Sequence, residues 1–123
     1  MATIVNNPND LGGSGTTVKE FTTAAGYFRV ELRRLLLGTT VYFWTRVTVI
    51  RGSNSVISPV CIVGGTTVDS GWMSGDNWSP GSIYCSKAIG TSGYPTQVSS
   101  FSGKYGIGAG AAEPSVLVAF TSV

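Results

Sequence analysis

Histidine is absent from the chain, and charge is scarce: Lys and Arg number 8, Asp and Glu 6, together 11% of 123 residues, against roughly 25% in soluble domains. Without histidine the commonest general base, the commonest zinc ligand and the usual near-neutral switch are missing. A Ser-His-Asp hydrolase is excluded. Only Lys19, Lys87 or Lys104 is left as the base of a Ser-Lys pair, and neither G-x-S-x-G nor S-x-x-K occurs. The expectation is a protein that is not an enzyme and holds no cofactor or metal.

Other shortages bound the rest. Cys61 and Cys85 allow one disulfide at most; two half-buried thiols in neighbouring strands and a structural disulfide are both open readings. No apolar run reaches the ~18 residues of a membrane span. The first residues, MATIVNNPND, show neither the basic nor the apolar region of a signal peptide. These features place the chain in a virion, or outside the cell if it is a mature form, with no membrane partner. The net charge of +2 is too small to imply nucleic acid by itself.

What is present is a pattern. In residues 26–63, Phe28, Val30 and Leu32 alternate with Arg29, Glu31 and Arg33, and a second alternating run follows Gly38. Val41, Phe43, Val47 and Val49 then share one face, and Tyr42, Trp44, Arg46, Thr48 and Ile50 the other. Residues 51–54 read as a turn into a third strand. Later runs, with 115–123 (SVLVAFTSV) the strongest, are separated by Gly, Ser and Pro. The fold class expected is all-β, an antiparallel β-sandwich or jelly-roll-like single domain over residues 18–123.

Its core is drawn from Phe28, Val30, Leu32, Val41, Phe43, Val47, Val49, Ile57, Ile62, Val116, Val118 and Phe120. Residues 18–37 also fit a helix, with Val18, Phe21, Ala25, Phe28, Leu32 and Leu35 three or four apart. That alternative gives an α+β fold with one helix packed on an antiparallel sheet. Residues 1–17, rich in Asn and Gly, read as a flexible or partner-docked N-terminal arm.

Residues 37–47 and the turn at 52–55 resemble the second half of a fibronectin type III module, in which a Gly-Thr-x-Tyr entry leads an alternating strand. The resemblance covers about a third of the chain. The N-terminal half of such a module is not recognisable, so the family is not adopted.

Two groups of residues are candidate sites. Trp72 and Trp78 share a polar loop with Asp69, Asp76 and Asn77, a mixture that stacks on sugar rings and hydrogen-bonds their hydroxyls. Arg29, Arg33, Arg34, Arg46 and Arg51 fall in the central stretch, and the period sets Arg29, Arg33 and Arg46 on one sheet face with Tyr27, Tyr42 and Trp44, an arrangement suited to single-stranded nucleic acid or to another subunit. Solvated strand faces with cross-strand Arg-Glu pairs give the same pattern. The function expected is a structural subunit of a homo-oligomer, a virion coat, decoration or tail protein. Its partners are copies of itself and either a nucleic acid genome or a surface glycan. A lectin-like module gripping carbohydrate with the Trp-rich loop is the alternative.

Overall fold

A computed structural model describes residues 3–13, 15–22, 26, 28–51, 59–73, 80–93, 95, 97–102, 105–106, 112–113 and 116–120. In chain order the strands are β1 (Thr3–Val5), β2 (Thr16–Thr22), β3 (Phe28–Leu37), β4 (Thr40–Val49), β5 (Pro59–Val63), β6 (Thr66–Val68) and β7 (Ser70–Met73). They continue as β8 (Ile83–Ser86), β9 (Ala88–Ser92), β10 (Val98–Ser102), β11 (Tyr105–Gly106), β12 (Ala112–Glu113) and β13 (Val116–Phe120). A 3₁₀ turn, Pro8–Leu11, follows β1.

The protein is an all-β, sandwich-like domain. Within residues 18–37, those described form the antiparallel strands β2 and β3 and not the alternative helix. Gly26, at φ 78°, interrupts the helical spacing, while strict alternation from Phe28 onward gives each strand one apolar face.

The large sheet has seven strands. β2, β3, β4, β9 and β1 follow one another, with β8 and then β7 alongside the second half of β4. The β3–β4 hairpin is its axis, paired from Phe28↔Val49 to Leu37↔Thr40. β8 and β9 run end to end along β4 with one extra residue between them, since Arg46 faces Cys85 but Phe43 faces Ile89. At this bulge the Ser86 hydroxyl takes the place of a backbone carbonyl, accepting from the Thr45 amide at 2.9 Å. The small sheet runs β13-β10-β5-β6.

The core lies between the sheets. Phe28, Val30, Leu32, Val41, Phe43, Val47 and Val49 are fully buried, as the alternation predicts. From β5 the buried residues are Pro59, Cys61 and Val63; the expected core residue Ile62 is half-buried, because pairing turns it to the opposite face. Tyr84, Ile89 and Val98 complete the core. Val116, Val118 and Phe120 fall on β13, and Ile57 lies outside the described residues. Polar contacts also link the layers. The Thr45 hydroxyl donates to the Val60 carbonyl at 2.6 Å and lies 2.9 Å from the Ser100 hydroxyl, so both hydroxyls are partnered.

The expected arm packs on its own chain. β1 adds to β9, and Val5 and Leu11 pack on the outer face of the large sheet against Trp44, Cys85 and Ala88, with Leu35, Tyr42 and Ile83. That face is apolar enough to need a cover. A short segment with apolar residues at Val5, Pro8 and Leu11 provides one.

Candidate functional site

The site is built on the outer face of β3 and β4, where cross-strand pairing sets Glu31 opposite Arg46 and Arg33 opposite Trp44. Glu31 is 3% exposed. Arg46 grips it with two bonds, Nε to Oε1 at 3.3 Å and Nη2 to Oε2 at 2.9 Å. Arg29 Nε lies 3.5 Å and Arg33 Nη1 3.9 Å from the same carboxylate. The Thr17 hydroxyl donates to Glu31 Oε2, and Arg33 donates to Thr17 Oγ1 and to the Gly15 carbonyl at 3.1 Å. This network fastens the start of β2, and the segment before it, to the sheet.

Its electrostatics follow from that crowding. Burial alone pushes the Glu31 carboxyl up, but the Thr17 hydroxyl, the Arg46 guanidinium and the charge of Arg29 together outweigh it and hold the group below the ordinary carboxylate value. Burial, aided by the charge of Arg46, lowers Arg33 from its ordinary value, while Glu31 opposes the shift.

Between the sheet and the N-terminal segment lies a cleft of about 150 Å³ lined by Pro8, Asn9, Gly13, Trp44, Arg46, Ile83 and Cys85. Trp44 is 4% exposed. Gly15 runs so close over it that a Cβ there would stand 2.9 Å from Trp44 Cη2 and 2.6 Å from the Arg34 carbonyl oxygen. Only glycine fits, the more so at φ 69°. Cys85 lies on this face and Cys61 in the core between the sheets, so the two thiols are free. Burial pushes the Cys85 thiol up to about 11 and the Cys61 thiol up to about 12.

Of the five arginines read as one group, Arg29, Arg33 and Arg46 converge on Glu31. Arg34 does not. It pairs across from Phe43 on the inward face, and Arg51 lies beyond the end of β4. Tyr42 and Trp44 share the arginine face by register, and Val5 and Leu11 of the N-terminal segment pack against the cluster that holds Trp44. In the second group, Trp72 falls on β7 opposite Cys85, and exposed Asp69 pairs with Lys87 at 3.4 Å. Asp76, Asn77 and Trp78 lie outside the described residues.

No family model, curated protein or solved structure matches the chain. Among the described residues no three His, Cys, Asp or Glu side chains are grouped to hold a metal. What the arrangement offers chemically is a fixed guanidinium beside an aromatic wall. Sequence reasoning did not find the cleft, although one signal was present: Tyr42 and Trp44 alternate with Val41 and Phe43, so both faces of β4 carry large rings and both require cover.

Proposed function

We propose that the chain is a non-enzymatic structural subunit of a larger homo-oligomeric assembly, of the class of virion coat, decoration and tail proteins. The observation that carries this reading is the position of β13. Its sequence, Val116-Leu117-Val118-Ala119-Phe120, has no charge, proline or glycine, yet it is an edge strand whose single partner among the described residues is β10. An apolar edge of this kind presents a row of free backbone donors and acceptors to any matching strand, and monomeric proteins guard such edges with lysine, proline or bulges. A strand from a second copy satisfies it. The low charge of the chain supports the same reading, as do Leu36 and Leu37 at the β3–β4 turn, 53% and 41% exposed.

Solution mass by light scattering at micromolar concentration, with electron microscopy of the same sample, tests the proposal. The expected result is a closed or filamentous oligomer that Leu117→Lys with Ala119→Lys returns to monomer. A clean monomer of the unmodified chain, showing no rings, shells or filaments, overturns it.

A further inference from the structure

We propose that the cleft beneath the N-terminal segment is a binding site for a small ring-bearing carboxylate, held by Arg46 against Trp44 and closed over by Pro8 and Asn9. This site is independent of the assembly reading, since it lies on the large sheet and β13 on the small one.

Size, lining and charge each narrow the ligand. About 150 Å³ is the volume at which an apolar cavity takes up a single benzene-sized ring. Trp44, Pro8 and Ile83 supply apolar walls, two of them flat, and so favour a ring over a flexible chain. The polar side chains among the lining residues are Arg46 and Asn9, with the thiol of Cys85, which burial keeps neutral. Arg46 is the side chain that both lines the cleft and carries charge. Its Nε and one Nη2 hydrogen hold Glu31, while Nη1 and the second Nη2 hydrogen have no partner among the described residues.

The local charge is also unbalanced toward cation. Three guanidiniums surround Glu31, and the one further carboxylate ion-paired with them among the described residues, Glu20, stands 4.0 Å from Arg29 and is largely exposed. An anion entering beside Arg46 relieves the repulsion between Arg33 and Arg46. A carboxylate matches the planar fork of guanidinium donors better than a spherical ion does. Because Arg46 is already pinned by Glu31 and Trp44 by Gly15, the site is organised before the ligand arrives, which limits the entropy lost on binding.

One wall of the cleft belongs to the N-terminal segment, and of residues 3–13 only Pro8 is fully buried. A ligand seated between Pro8 and Trp44 therefore also holds that segment down. Occupancy and segment closure are linked.

Nuclear magnetic resonance titration of the full chain with benzoate, benzyl alcohol and acetate tests the assignment. Saturable shifts are expected at the Trp44 indole and the amides of residues 9–13 with benzoate. Binding should be at least about tenfold weaker for benzyl alcohol, which lacks the carboxylate, and for acetate, which lacks the ring. Arg46→Lys keeps a positive charge beside Glu31 but removes the fork, and weakens benzoate about tenfold. Hydrogen exchange of residues 4–11 slows in saturating benzoate. The proposal is overturned by the absence of saturable benzoate shifts into the tens-of-millimolar range, by equal affinity for benzyl alcohol, or by benzoate binding that leaves exchange in residues 4–11 unchanged. The three-ligand comparison on the unmodified chain decides the matter even if the Arg46 variant does not fold.

Discussion

Replacing Glu31 by Gln removes one negative charge at nearly constant shape, and the structure sets what that does. Arg33, 8% exposed, loses its counter-charge where water cannot replace it, and Arg46, with a side chain 28% exposed, loses both of its bonds to the Glu31 carboxylate. Breaking a buried pair from one side costs about 3–5 kcal/mol. Arg29 has a side chain 46% exposed and contributes little to this loss. An overall loss of about 3 kcal/mol is expected, enough to lower Tm by about 10 °C in a domain of this size. The assay is urea unfolding of Glu31→Gln and the unmodified chain at pH 7 and in acid. The folded carboxyl sits below its ordinary value of 4.5, so ionised Glu31 stabilises the fold above that pH, and the contribution disappears as pH falls through the lowered folded value. The gap between the two proteins should therefore close in acid. A gap below about 1 kcal/mol at pH 7, or one that persists unchanged in acid, refutes the assignment of Glu31 as the charge that balances the arginines. Adding Arg33→Met to Glu31→Gln should recover part of the loss, because no buried cation is then left unpaired.

Two further outcomes follow from the same packing. Gly15→Ala places a methyl against the Arg34 carbonyl and Trp44 at a backbone φ of 69°, and should cost about 2 kcal/mol or more by thermal unfolding, with faster hydrogen exchange in residues 4–11. In alkali, the unfolded thiols ionise from about their ordinary 9.0 while Cys61 and Cys85 stay protonated in the fold up to about 12 and about 11, so stability should fall as pH rises above 9, by about 1.4 kcal/mol per pH unit for each thiol. Cys61→Ala should make that slope shallower in urea unfolding followed from pH 8 to 11.

The strands of residues 28–49 were legible because a period of two is local information. Each residue's face follows from its neighbours, and the buried set Phe28, Val30, Leu32, Val41, Phe43, Val47 and Val49 needs no long-range contact to be read. The same rule separates Arg33 from Arg34, which adjacency places on opposite faces, and it sets Arg29, Arg33 and Arg46 on one face with Tyr42 and Trp44. Ile62 was misplaced where that rule is silent. In the continuous apolar run Val60-Cys61-Ile62-Val63 alternation gives no signal, and only pairing with β6 and β10 decides that Cys61 and Val63 turn inward.

By itself, then, the sequence determined a β-rich fold and most of the core, since these depend on hydrophobic alternation within one segment, but it left residues 18–37 open between strand and helix, which the pairing of β2 with β3 decided. The tertiary structure alone decided that β8 and β9 share the far edge of β4 and that β13 is, among the described residues, an edge strand. It also decided that residues 3–13 cover Trp44 and thereby create a cleft at Arg46. Such contacts join residues far apart in the chain. Their free energy comes from matched surfaces, the apolar outer face of β4 with Val5, Pro8 and Leu11, and each surface taken alone looks in the sequence like a strand face or a loop.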